Sequence, residues 1–290
     1  MARETRAALR GRENVRSGNW PRPADPRVLV VANQKGGVGK TTTAVNLAAS
    51  LALNQLRVLV IDLDPQGNAS TALGVEHRVG IASVYDALIG ETPLTELAQP
   101  AADIPRLSCV PSTIDLAGAE IELVPMVARE SRLKRAVDAV VEAGEFDYVF
   151  IDCPPSLGLL TVNALVACRE VLIPIQCEYY ALEGLGQLLN TIEMVRSHLN
   201  IELEITTVLL TMYDGRTRLS SQVAEEVREY FGDRVVSTLV PRSVRVSEAP
   251  SYGQTVMTYD PGSTGALSHL EAAREIAGRA AVPADQGGVA

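Results

Sequence analysis

From Arg27 onward, short apolar runs rich in β-branched residues alternate with longer stretches of helical periodicity. The runs Val28–Ala32, Val58–Ile61, Leu107–Pro111, Tyr148–Ile151, Val171–Pro174, Ile205–Leu210 and Val235–Val240 read as strands. Between them, helical stretches cover Thr41–Leu53, Ala82–Ile89, Ile114–Leu123, Ser131–Ala143, Leu159–Ala167, Ala181–Ser197, Ser220–Phe231 and Gly265–Arg279. Apolar strands alternating with helices of this length predict an α/β fold: a doubly wound, mostly parallel sheet with helices on both faces. No linker or repeat divides the pattern, so residues 27–280 are expected to form one domain. Residues 1–26 have no apolar periodicity and hold six arginines, two glutamates, one aspartate and three prolines. They are expected to be a disordered basic tail, and the small, Gly-rich residues 281–290 a disordered C-terminal tail.

Composition narrows the class. The chain has 290 residues, 47% hydrophobic and 21% charged, which excludes wholesale disorder and collagen-like sequence. No apolar run reaches the roughly 18–20 residues of a membrane span. The N-terminus lacks the apolar stretch of a signal peptide, so the expected location is the cytoplasm. Cys109, Cys153, Cys168 and Cys177 lie far apart without a CxxC pair and are read as reduced packing residues, not metal ligands. The net charge of −9 argues against a protein that coats nucleic acid with its whole surface, but permits a local basic patch. Only three of the 26 basic residues are lysines: Lys35, Lys40 and Lys134. Two of them fall in one six-residue stretch of an Arg-biased chain, as a site needing a compact point charge would require.

That stretch is Asn33-Gln34-Lys35-Gly36-Gly37-Val38-Gly39-Lys40-Thr41-Thr42, between the first strand and the first helix. Glycines let the backbone turn tightly, so that its N–H groups face phosphate oxygens at a helix N-terminus. Lys40 would reach the β- and γ-phosphates of ATP, and the Thr41 hydroxyl would ligate Mg²⁺. The usual loop has glycine where this chain has Gln34, and a second lysine, Lys35, stands just before Gly36. The second strand ends in Asp62-Leu63-Asp64-Pro65-Gln66-Gly67-Asn68, on the side where ligands gather in such sheets. Asp62 reads as structural or near the metal. The strand Tyr148–Ile151 ends in Asp152, a candidate magnesium aspartate, followed by Cys153-Pro154-Pro155. No histidine stands near these motifs, and His77, His198 and His269 read as surface or packing residues.

The doubled lysine resembles the deviant Walker A loop of the P-loop NTPase family that includes ParA/Soj, MinD and the nitrogenase iron protein. The resemblance implies that Lys35 reaches across a homodimer interface to the partner's nucleotide, so that two ATP molecules are sandwiched. The segment around Asp64 resembles that family's DxDPQGN element, which implies that Asp64 positions the attacking water. The loops at 174–184, 211–217 and 241–250 also resemble ParA/Soj loops, so the resemblance runs from about Arg27 to Arg279. It puts Pro241 and Ser243 beside the adenine, although the family usually has Asn where Ser243 stands.

Arg216, Arg218, Arg242 and Arg245 form a basic island, read either as a solvated face paired to Glu225, Glu226 and Glu248 or as a contact to DNA phosphates. The resemblance assigns non-specific DNA binding to Arg216 and Arg245. It further implies a nucleoid-associated, ATP-driven dimer on double-stranded DNA, released when a ParB-like centromere-binding protein stimulates hydrolysis. The alternative is a MinD-like membrane-positioning ATPase. That reading needs a C-terminal amphipathic helix, and Pro283 and the small residues around it supply none. No membrane partner is therefore expected.

Overall fold

The computed structural model describes residues 20–179 and 181–280. Most of the expected tail 1–26 and the whole of 281–290 lie outside these residues. Trp20 and Arg22 do not: Trp20 packs against the core, and Arg22 lies 3.9 Å from Asp147. The packed chain therefore begins before Arg27.

Eight strands form one sheet: β1 (Arg27–Val31), β2 (Val58–Asp62), β3 (Gln99–Pro100), β4 (Leu107–Val110), β5 (Tyr148–Asp152), β6 (Glu170–Gln176), β7 (Glu204–Tyr213) and β8 (Val235–Pro241). Their order is β3-β4-β2-β5-β1-β6-β7-β8. Every pairing is parallel except β3 with β4, a two-residue antiparallel edge whose proline suits a position with no further strand beside it. Among the described residues, twelve α-helices lie between or after the strands. The longer ones are α1 (Lys40–Leu53), α5 (Leu116–Leu123), α6 (Arg132–Ala143), α7 (Leu159–Ala167), α8 (Gly186–His198), α9 (Arg218–Phe231) and α12 (Thr264–Ala280). The shorter ones are α2 (Asn68–Ala72), α3 (Val84–Ile89), α4 (Leu94–Leu97), α10 (Val244–Glu248) and α11 (Val256–Tyr259).

The period-two geometry of each strand divides its apolar residues between two cores. Val28 and Val30 face one core, while Leu29 and Val31 face the other. Leu59 and Ile61 are likewise separated from Val58 and Val60, and Val149 and Ile151 from Tyr148 and Phe150. Helices α1 and α12 cover one face, and α3 and α5 to α9 cover the other. This is why the central strands read as continuous apolar runs. Local chemistry sets the ends. Ser83 and Asp86 form a reciprocal capping box at α3, and Gly144 closes α6 at φ 62°.

β1 lies between β5 and β6, where the chain changes direction of growth through the sheet. In register, Asp152 pairs with Val31 on one side and Asp62 on the other. The ends of three adjacent strands thus bring the glycine-rich loop and both strand-end carboxylates to one crevice.

Candidate nucleotide site

The loop between β1 and α1 is pinned from three directions. Buried Asn33 donates to the Pro174 carbonyl at 2.8 Å and accepts from the Lys35 N–H at 3.0 Å. Thr211, at the end of β7, donates to the Val38 carbonyl at 2.8 Å. Gly37 and Gly39 take φ of 76° and 90°, left-handed values that a residue with Cβ adopts only under strain. A Cβ at Gly36 or Gly37 would meet nothing within 4 Å, so space lies over the loop. Lys35 is exposed, whereas Lys40 is buried with its Nζ 3.4 Å from the Lys35 carbonyl. Burial lowers the Lys40 ammonium from its ordinary value, against the pull of Asp152.

Asp152 is fully buried, and neither carboxylate oxygen has a hydrogen-bond partner. Burial first and the neighbouring Asp62 second push its carboxyl well above the usual range, against the pull of Thr41 and Lys40. A buried carboxylate of this kind is stabilised by a cation. Among the described residues, no group of three or more His, Cys, Asp or Glu could hold a metal without help. Mg²⁺ needs only one or two protein oxygens and completes its shell with phosphate and water. The residues therefore fit a polyphosphate with a divalent cation: loop amides and Lys40 for the phosphates, Thr41 and Asp152 for the metal.

Asp64 is buried two residues past β2. It bears electrostatically on both Lys40 and Asp152. One of its oxygens accepts from the Gln66 N–H at 3.0 Å, closing the local turn. Asp62 is held by Ser70 and the Asp64 N–H, and burial pushes it up to about 6.

A cleft of about 230 Å³ opens beside the start of α1, lined among others by Thr42, Asn46, Thr71, Val246, Pro250 and Thr255. Pro241 and Ser243, expected beside a base, are not among its lining residues. Pro241 ends β8, and Ser243 lies against the Gly265 position. Val246, Ala249 and Pro250 of the same segment line the cleft instead. Asn33, Asn46 and Thr211 were not singled out from the sequence. Each makes its bond to a residue 141 or more positions away, so only the folded chain reveals the role.

The basic island is heavily paired. Arg216 grips Asp214 through two nitrogens, Arg242 reaches Glu178, and Arg245 lies between Glu248 and Asp260. Of the expected carboxylates, Glu248 is the one paired with this island among the described residues. The guanidinium of Arg216 holds the Asp214 carboxyl down at about 2. Arg218 is exposed and makes no ion pair among the described residues. All four cysteines are buried and unpaired. His269 is buried too, with Nδ1 2.8 Å from the Gly265 carbonyl. No helix among the described residues is long and apolar enough to cross a membrane.

Residues 26–205 match the family model described as an AAA domain. The chain is 55% identical over 251 residues to the sporulation initiation inhibitor protein Soj of Bacillus subtilis, covering 87% of this chain and 98% of that protein. It is 52% identical over 253 residues to the chromosome partitioning protein ParA of Caulobacter vibrioides, covering 87% and 94%. In three dimensions it resembles cobyrinic acid a,c-diamide synthase from Mycobacterium smegmatis with bound ADP and magnesium. That match has a TM-score of 0.73 and 38% identity over 85% of this chain and 91% of the other.

Proposed function

This chain belongs to the Soj/ParA family of chromosome-partitioning ATPases, and we propose that it is an ATP-driven switch that binds DNA as a nucleotide-sandwiched dimer and leaves it on hydrolysis. The observation that carries the nucleotide half is Asp152: a fully buried carboxylate with two unpartnered oxygens, at the mouth of a phosphate loop. Mg²⁺, held by Asp152 and the Thr41 hydroxyl, supplies charge neutralisation for the phosphates. Gly36 to Thr42 cradle the phosphates with backbone N–H groups, and Lys40 adds a fixed positive charge. Thr42, Val246 and Pro250 line the room left for the rest of the nucleotide. Asp64 accepts a hydrogen bond from the attacking water and holds it in line. Lys35, exposed on the open side of the loop, reaches the nucleotide of the second subunit.

Arg218, joined by Arg216, Arg242 and Arg245 once their carboxylates are displaced, contacts phosphates of double-stranded DNA without reading bases. Two such patches in one dimer act on one duplex, so the second contact is nearly intramolecular. The patches explain how a chain of net charge −9 holds DNA only as a dimer. A ParB-like partner ends the cycle by stimulating hydrolysis, and the working location is the nucleoid.

DNA co-sedimentation with no nucleotide, ADP, ATP and a slowly hydrolysed ATP analogue tests the reading. ATP and the analogue should bring the protein down with DNA of any sequence. Equal sedimentation with ADP would refute the nucleotide-gated dimer on DNA.

A further inference from the structure

We propose that Asp62 is a positioning residue for hydrolysis: its buried carboxylate ties the backbone of Asp64, the helix α2 and the loop after β4 into one unit. The inference rests on the role proposed above for Asp64. Asp62 is completely buried at the end of β2. Its Oδ1 accepts from the Asp64 N–H at 3.2 Å. Its Oδ2 accepts twice from Ser70, from the N–H at 2.8 Å and from the hydroxyl at 2.7 Å. The Ser70 hydroxyl in turn accepts from the Ser112 N–H at 3.1 Å. One carboxylate and one hydroxyl thereby join the end of β2, the start of α2 eight residues on, and the loop after β4, 42 residues beyond Ser70. The neighbouring bond from the Leu63 N–H to the Asp152 carbonyl, at 2.9 Å, fixes the same strand end to β5.

The chemistry of the position calls for a carboxylate. Three donors converge on the side chain, two on one oxygen and one on the other. An ionised carboxylate accepts at both oxygens and makes shorter, stronger bonds than a neutral amide. Asparagine would keep one acceptor and turn an NH₂ towards a buried N–H. Packing alone does not require a charge here. A neutral residue would avoid the desolvation cost and the repulsion from Asp152, which is its register partner on β5. What the charge adds is direction. Asp64 lies two residues on, and a small misplacement of a catalytic group can cost up to about a hundredfold in rate. Asp62 makes no hydrogen bond to the loop glycines or Lys40 among the described residues and acts on Asp152 through charge, so nucleotide binding should depend on it far less than turnover does.

The test measures ATP turnover, affinity for a fluorescent ATP analogue, ATP-dependent dimerisation and thermal midpoint for the full chain. The variants are Asp62→Asn, Ser70→Ala and Asp64→Ala. Asp62→Asn should lower kcat about tenfold or more, and Ser70→Ala roughly threefold, because the N–H bond to Asp62 survives. In both, KM, nucleotide affinity and dimerisation should stay within about twofold of the parent. A merely structural lesion would instead lower affinity, dimerisation and thermal midpoint together with kcat, and that result overturns the proposal. So does a folded Asp62→Asn that turns over within twofold of the parent. If Asp62→Asn does not fold, Ser70→Ala decides by the same criteria. An Asp64→Ala chain that hydrolyses normally would remove the Asp64 role and this inference with it. An inactive Asp64→Ala beside normal Asp62→Asn and Ser70→Ala would remove this inference alone.

Discussion

Lys40 lies beside both Lys35 and Asp64, yet the three should fail in different ways. Asp64→Ala leaves the phosphate loop intact, so the variant should bind ATP and dimerise while turnover drops by about a hundredfold or more, measured by phosphate release. Lys40→Ala removes the buried charge beside Asp152 and should abolish nucleotide binding. Lys35→Ala alters an exposed side chain and should bind ATP without dimerising, read by gel filtration with ATP. Dimerisation equal to the parent would exclude the contact across the interface. His269 gives a prediction of another kind. Burial holds its imidazole down at about 4, against 6.5 ordinarily. Between those values the unfolded chain binds a proton that the folded chain refuses, so stability falls as pH drops from about 6.5 to about 4. The loss should be on the order of 3 kcal/mol. Urea unfolding at pH 7 and pH 4.5 should show a smaller difference for His269→Leu than for the parent. An equal difference would assign the acid sensitivity elsewhere.

Helix α2 and the segment 249–252 meet at two glycines. Gly74 takes φ 65°, and a Cβ there would stand 3.0 Å from the Gly253 carbonyl and 3.0 Å from the Ala102 Cβ. Gly74→Ala therefore combines backbone strain with a backbone clash and should cost roughly 1–3 kcal/mol in urea unfolding. Ala72 and Gln254, each within two residues of one of these glycines, line the cleft beside α1, so ATP affinity should weaken in that variant as well. At this scale the sequence was uneven as a guide. Long elements with one apolar face, such as α6 and α9, stood out because burying one face of a helix writes a periodicity into it. Helices α2, α4, α10 and α11 did not, being four or five residues long and held by contacts rather than by propensity. The edge strand β3 has two residues and carries no pattern.

At the scale of the molecule, an acidic chain must concentrate its positive charge to hold DNA. Each arginine lost from a phosphate contact should lower the salt slope of DNA affinity by about 0.9, or roughly 2 per dimer. Arg245→Ala should show this in a salt titration with ATP, with dimerisation unchanged. An unaltered slope would return Arg245 to its pairs with Glu248 and Asp260. Arg216 is held by two hydrogen bonds to Asp214 at 2.9 and 2.8 Å, tighter than the single 3.1 Å bond from Arg245 to Glu248, so Arg216→Ala should cost less. Asp214→Asn, by freeing that guanidinium, should tighten DNA binding; a weakening would show that Asp214 presents Arg216 rather than restrains it.

The sequence by itself determined the α/β alternation, the parallel sheet, the phosphate loop and the strand-end aspartates Asp62 and Asp152. All of these are local: an apolar run, a glycine spacing or a carboxylate at a strand end appears within about ten residues of chain. Resemblance added the family. Only the tertiary structure decided which residues serve the loop from a distance. Asn33 meets Pro174, Thr211 meets Val38, and Asn46 accepts from the Val256 N–H, because strands and helices far apart in the chain become neighbours in the sheet and on its faces. Tertiary structure also decided that most of the basic island is paired, and that Trp20 belongs to the packed chain. Hydrogen bonds and ion pairs act over about 3–4 Å of space, and no spacing along a chain encodes which distant partner will fill that distance.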